Sequence, residues 1–341
     1  MGISKKNGSN KQAASGSKEF PIVGIGASAG GLEAFKLLLE CLPVDTGLAF
    51  VIIQHLAAGQ ESMLTDILSR FTKMLVFQVE DGMHVEPDHV YVIPPGSTMT
   101  LEDGFLKLNP KGKSLRPIDA FLSSLAMERK TQAVGIVLSG TGSDGTEGLK
   151  AVKAEGGITF AQDPETAQYP GMPQSAICAE SIDFVLSPDK IAKELAKIAK
   201  NPHLVRAKIV SQEPKTHKES GLRRIFTLLK SSFNVDFIHY KETVINRRVT
   251  RRMVINHLDT ITKYAKYLET HPVELQALFD DTLIGVTSFF REPDTFAILK
   301  EKLFPQLLKK PSIKRACKNL DSRLFHRRRG LLLRYCTSRI S

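Results

Sequence analysis

Residues 20–31 read FPIVGIGASAGG: an apolar run passes into glycines that surround Ser28. Two other stretches share this form. VIIQHL, residues 51–56, ends near His55, and LSGTGSDG, residues 138–145, carries Asp144. Each puts one reactive polar side chain at the end of an apolar run that reads as a strand. A hydroxyl, an imidazole and a carboxylate in that setting are the parts of a hydrolase triad.

Working outward, LEAFKLLLECL follows the first stretch with apolar residues at helical spacing. LAFVIIQHL is a second buried strand and ESMLTDILSRF an amphipathic helix. VFQVEDG, HVYVIPPG, TMTLEDG and FLKLNP are short strands with turn punctuation. PIDAFLSSLAMER reads as a helix, AVGIVLSG as a third buried strand, TEGLKAVKAEG as a helix, and GITFAQD and DFVLS as strands. Strands alternating with helices, several of them wholly apolar, predict an α/β fold with a doubly wound, mostly parallel sheet. Residues 1–19 read as a disordered leader and 203–219 as a charged linker. From residue 220 to 308 the pattern is helical throughout, so a small all-α domain is expected there.

The bulk composition excludes more than it identifies. A chain of 341 residues is long enough for two domains. Its four cysteines form no C-x-x-C pair, which points to a reduced, cytoplasmic setting without a zinc cluster. Neither a secretory signal nor a run long enough to span a membrane is visible, so membrane insertion is not expected. The net charge is +11, but residues 309–341 hold 11 Lys/Arg and one acid, leaving +1 for the rest. The excess therefore belongs to one basic tail, expected to be disordered, rather than to a nucleic-acid-binding face.

In a doubly wound sheet, ligands bind beyond the carboxyl ends of the strands, where Ser28, His55 and Asp144 all fall. Serine needs a base to become a nucleophile, and histidine is the usual one. A carboxylate then fixes the imidazole tautomer. Gly24, Gly26, Gly30 and Gly31 would let the backbone turn tightly and expose Ser28. Amides there or at Thr141–Gly142 could receive an oxyanion. Taken singly, each residue has a plainer reading: Ser28 and Asp144 as helix caps, His55 as a satisfied strand-end histidine. Their joint placement at three strand ends favours catalysis. Dinucleotide binding fits poorly, because the loop is G-x-G-x-x-x-G-G and the second strand ends in Gln54–His55 rather than in an acid.

GIGASAGGLEAF, the histidine of IIQHL, VYVIPPG, LSGTGSDGTEGLKAV and the YPGMPQSAI loop resemble the catalytic domain of CheB-type chemotaxis protein-glutamate methylesterases over residues 20–202. The resemblance implies hydrolysis of glutamate γ-methyl esters on chemoreceptor cytoplasmic helices or related signalling proteins, with some members deamidating glutamines. Carried over by motif, Ser28, His55 and Asp144 are catalytic. Backbone at Ala29, Thr141 and Gly142 serves the oxyanion, Met172 and Pro173 border the cleft, and no metal or organic cofactor is used. The family often has threonine where this chain has Ala29 and methionine where it has Thr141, which bears on substrate preference. Its free-standing members also carry a phosphoreceiver domain, which 20 leader residues cannot supply. The alternative in another class is a receptor-docking scaffold whose activities have decayed.

HYKETVINRRVTRRM and LIGVTSFFREPDTF resemble the N-terminal helical domain of CheR-type receptor methyltransferases. The resemblance implies that Arg291 serves an S-adenosylmethionine pocket and that Arg247, Arg248, Arg251 and Arg252 form a basic stripe toward the receptor; a solvated helix face is the plainer reading. The methyltransferase domain that should follow is absent from KRACKNLDSRLFHRRRGLLLRYCTSRIS, so methyl transfer is expected to be lost. Codons chosen for residues 319–341 and read one base later spell IWIPGCSTGEEAYSFGIALLEY, which looks like the missing strand and cofactor loop. A frameshifted, truncated CheB–CheR fusion is therefore expected, and the nucleotide sequence of the gene tests it.

Overall fold

A computed structural model describes residues 20–54, 63–110, 116–201, 215–235, 237 and 242–283. His55, Arg291, the leader, most of the expected linker and the basic tail lie outside these residues.

Seven strands form one parallel sheet: β1 (Ile22–Ala27), β2 (Ala49–Gln54), β3 (Leu75–Gln78), β5 (His89–Val92), β8 (Ala133–Val137), β9 (Ile158–Gln162) and β10 (Phe184–Leu186). Their order is β10-β9-β8-β1-β2-β5-β3, with β1 in the middle. The chain leaves β1 toward β2 on one side and β8 toward β9 on the other. The switch point therefore lies between β1 and β8, which pair directly from Ile22↔Ala133 to Gly26↔Val137. A separate three-stranded antiparallel sheet is made by β4 (Met83–His84), β6 (Ser97–Glu102) and β7 (Phe105–Pro110).

Alternation along each strand divides the core in two. Val23, Ile25 and Ala27 of β1 face α1 (Gly31–Cys41), α2 (Leu64–Leu68) and α6 (Pro188–Ala199). Helix α1 buries Ala34, Phe35, Leu38 and Leu39, and α6 buries Ile191, Ala192, Leu195 and Ile198, both at the three-and-four spacing of one helical face. The opposite face of the sheet packs on α3 (Pro117–Arg129), α4 (Thr146–Ala154) and α5 (Gly171–Cys178), with Met99, Leu101 and Leu106 of the small sheet completing the layer.

The glycines of β1 have a different purpose from the turn flexibility expected of them. Gly24 and Gly26 are strand residues on the α3 face. A methyl group at Gly26 would lie 2.3 Å from Ile118, and one at Gly24 would lie 2.7 Å from Leu122. Their missing side chains let α3 come close to the sheet. Of the four glycines, only Gly30 turns the chain through a positive φ, at 70°.

The YPGMPQSAI stretch, read as a loop, contains α5, and α6 was not anticipated. The helical part comprises α7 (Lys215–Phe233), α8 (Glu242–Ile255), α9 (Ile261–Thr270) and α10 (Pro272–Leu283). Helix α7 starts five residues before the expected boundary at residue 220. These helices share a core of their own, built from Ile225, Leu229, Ile245, Val249, Met253, Tyr264, Leu268 and Leu278. Val254 instead joins the core of the α/β part.

Candidate active site at the β1–β8 switch point

Ser28 follows the last residue of β1 and is half-buried. Its amide donates to the Ser139 carbonyl at 3.0 Å, and its own carbonyl accepts from Gly31 at 3.0 Å. The N-cap of helix α1 is Gly30, not Ser28, and it makes no side-chain cap bond.

Asp144 lies in the turn after β8 and is only 6% exposed. Its Oδ2 accepts from the Ile118 amide at 3.0 Å. Its Oδ1 accepts from the Asp119 and Gly145 amides, both at 2.9 Å. Two of these donors are the free first-turn amides of α3, a favourable place for a carboxylate. The chain of causes starts in β1: Gly24 and Gly26 admit α3, and the start of α3 then holds Asp144. Asp144 also bonds the amide of Gly145, from which α4 starts; its main anchors belong to α3.

Between Ser28 and Asp144 runs the Ser139–Ser143 loop. The Gly140 amide donates to the Tyr169 carbonyl at 2.9 Å, and the Gly140 carbonyl accepts from Met172 at 2.9 Å. The Ser175 hydroxyl donates to the Gly142 carbonyl at 3.1 Å. A methyl group at Gly140 would lie 3.0 Å from the Ser28 Cβ and 2.2 Å from the Met172 sulfur. Ser28, Gly140 and Met172 are thus stacked without space to spare. Met172 and Pro173 are buried beneath this loop, whereas Thr141 and Gly142 are exposed.

The β1–β2 register ends at Ala27↔Gln54, the residues that precede Ser28 and His55 in sequence. His55 itself lies outside the described residues.

Four polar residues at this site were not foreseen. Ser139 lies two residues past β8 and Gln162 ends β9, and both are buried. Asp119, also buried, accepts from the Gly148 amide at 2.8 Å. Burial, and then the charge of Asp144, raise its carboxyl above the ordinary range against the opposing pull of that amide. Arg116 donates to Asp119 at 3.1 Å and to the Ser143 hydroxyl at 2.6 Å. Ser139 and Gln162 could have been found by the rule that found the others, a polar residue closing an apolar strand. Asp119 shows only as a helix-start acid.

The arginines of α8 are placed differently from a solvated or receptor-facing stripe. Arg247 donates to Glu155 at 2.8 Å. Arg248 is buried and donates to the Lys153 and Ala154 carbonyls, both at 2.7 Å, so it caps the end of α4. Arg251 is fully buried; it donates to the Gly157 carbonyl at 2.8 Å and pairs with Asp183 and Asp281. Arg252 pairs with Glu274, which also accepts from Tyr264 at 2.8 Å. All four guanidinium groups are engaged by acceptors of the chain itself. Arg291, the residue assigned to an S-adenosylmethionine pocket, lies outside the described residues.

Against known proteins, residues 23–195 match the sequence model of the CheB methylesterase, and residues 220–283 match that of the CheR methyltransferase all-alpha domain. The solved catalytic domain of Thermotoga maritima CheB methylesterase is similar with a TM-score of 0.51 and 33% sequence identity, covering 52% of this chain and 98% of that one. A parallel sheet enclosed by helices agrees with the CheB matches, and the chain belongs to the CheB methylesterase family. A 104.1 kDa protein from the hypE 3′ region of Rhodobacter capsulatus is 38% identical over 271 residues, 73% of this chain and 28% of that protein. The protein-glutamate methylesterase/protein-glutamine glutaminase 1 of Carboxydothermus hydrogenoformans is 34% identical over 186 residues, 51% of this chain and 54% of that protein. The chain therefore spans about a quarter of the first relative and about half of the second. No helix among the described residues is long and apolar enough to cross a membrane.

Proposed function

We propose that this chain hydrolyses glutamate γ-methyl esters on the cytoplasmic helices of chemoreceptors or related signalling proteins, through an acyl intermediate on Ser28. The observation that carries this reading is the pairing of a half-buried serine at the end of β1 with a carboxylate, Asp144, anchored by three backbone amides beside the same switch point. An anchored carboxylate has one fixed direction in which to orient a base, and His55 follows Gln54, the register partner of Ala27.

In this reading the Ser28 Oγ attacks the ester carbon while His55 accepts its proton. The developing oxyanion is met by amides of the Ala29 and Thr141–Gly142 backbone. Collapse expels methoxide, which leaves as methanol with the proton held by His55. Water, deprotonated by the same imidazole, then attacks the acyl-serine and releases the glutamate carboxylate. No step uses a metal or organic cofactor. A glutamine side chain would follow the same course with ammonia leaving, in keeping with the double name of the Carboxydothermus relative.

The test is methanol release from methylated chemoreceptor by the wild-type chain and by Ser28→Ala. Release by the wild type, reduced at least about 10³-fold in the variant, is expected. Equal release by both would remove Ser28 as the nucleophile. No release by either would favour the decayed docking scaffold.

A further inference from the structure

The turn that presents Ser28 has little to hold it from within. It contains Gly30 and Gly31, and α1 begins without a side-chain cap. Its support comes from across the sheet, at Ser139, which is 1% exposed. The Ser139 carbonyl accepts from the Ser28 amide at 3.0 Å. The Ser139 hydroxyl donates to the Ala29 carbonyl at 2.8 Å and accepts from the Tyr169 amide at 3.0 Å. The Ser139 amide donates to the Gln162 side-chain oxygen at 2.9 Å, and the nitrogen of that side chain donates to the Thr166 carbonyl at 3.0 Å. One buried residue therefore joins the ends of β1, β8 and β9 to the loop that enters α5.

We propose that Ser139 is a positioning residue that holds Ser28 and the Ala29 peptide in reactive geometry. This rests on the reading of Ser28 as nucleophile and adds to it the element that orients that nucleophile. The argument is one of planarity and space. The peptide unit is planar, so fixing the Ala29 carbonyl also fixes the direction of the Gly30 amide. A methyl group at Gly30 would lie 2.7 Å from the Ser139 hydroxyl and 2.8 Å from the Gln168 side-chain oxygen, so the turn closes tightly on that hydroxyl. The same hydroxyl reaches Tyr169 at the start of the segment that packs on Gly140. The nucleophile turn and the Thr141–Gly142 backbone are thereby held relative to each other by a single side chain. A misplacement of about 1 Å at such a site costs on the order of 10²-fold in rate.

The test compares wild type, Ser28→Ala, Ser139→Ala and Ser139→Thr in two assays. One is methanol release from methylated chemoreceptor, with kcat expressed per site titrated by a fluorophosphonate. The other is the rate of Ser28 labelling by that fluorophosphonate, which needs no receptor. For Ser139→Ala, kcat per titrated site and labelling rate are expected to fall about 10- to 100-fold with KM within about threefold. Ser139→Thr keeps the hydroxyl and is expected to recover most of both. A purely structural role would lower the titratable fraction and leave kcat per site unchanged, which would overturn the proposal. If Ser139→Ala does not fold, Ser139→Cys decides: it fills the space with a somewhat larger sulfur that is a much weaker donor, and wild-type rates in it would overturn the proposal. With Ser28→Ala inactive and Ser139→Ala at wild-type rate, the esterase reading survives and the positioning role falls. With wild type neither hydrolysing nor labelled, both fall.

Discussion

Asp119 shows how one carboxylate can tie the site to pH. Its neighbour Asp144 takes the first amides of α3, so Asp119 is left buried beside a like charge, with Arg116 and the Gly148 amide as its partners. Burial and that charge raise its carboxyl above the ordinary 3.8. The folded state therefore binds the Asp119 proton more tightly than the unfolded chain does. The resulting stabilisation is fully present below the unfolded value and is lost as pH rises through the higher folded one. Asp119→Asn keeps an oxygen for the Gly148 amide and removes the titration. Urea midpoints of wild type and variant measured from pH 3 upward should diverge above about pH 3.8, with the wild type losing stability relative to the variant. Parallel curves would show that Asp119 contributes nothing to the pH dependence.

At the scale of elements, α3 is the part on which the site depends. Ile118, Phe121, Leu122 and Leu125 bury one face of it against the strand face that carries Gly24 and Gly26, and its first amides meet Asp144. Closeness and anchoring are one requirement, because a helix displaced from the sheet takes its amides with it. Gly26→Ala puts a methyl group 2.3 Å from Ile118 Cγ2, inside any tolerable contact. Overpacking of this kind costs about 1–3 kcal/mol, read as a lower urea midpoint. The esterase rate per folded molecule should fall as well, since Asp144 follows α3. An unchanged rate in the folded fraction would separate the packing of α3 from the orientation of Asp144.

Across the molecule, the helical part is joined to the α/β part by ions rather than by apolar surface alone. Arg247, Arg248 and Arg251 reach Glu155, the end of α4, Gly157 and Asp183, while Val254 enters the neighbouring core and His257 meets Glu194 at 2.8 Å. Gly157 and Asp183 precede β9 and β10, so this junction lies at the amino ends of the strands. Ser28 and Asp144 lie past the carboxyl ends, away from this junction. Arg251 is the centre of the junction, paired with Asp183 on one side and Asp281 on the other. Arg251→Ala leaves two buried carboxylates with only the longer 3.9 Å cation contacts, to Lys153 and Arg252, and breaking such a buried pair costs about 3–5 kcal/mol. A fall in the urea midpoint of about 1 M or more is expected. A shift no larger than that of an exposed arginine control, Arg224→Ala, would mean that the junction carries little stability.

Much of this was legible in the chain. The alternation of apolar runs with amphipathic helices determines a parallel α/β layer, because a strand buried on both faces has to be apolar throughout and its crossover helix has to be apolar along one stripe. Polar residues closing such runs mark the crevice, which is why Ser28 and Asp144 stand out before any coordinates. Other features required the tertiary structure. The purpose of Gly24 and Gly26 depends on which helix lies over them, and no local pattern names α3. The anchors of Asp144 come from a helix 25 residues away in sequence. A run of arginines has the same pattern whether it faces water or a neighbouring domain. Only the packing, which brings Asp183, Asp281 and the end of α4 to that helix, decides that these arginines are spent inside the molecule.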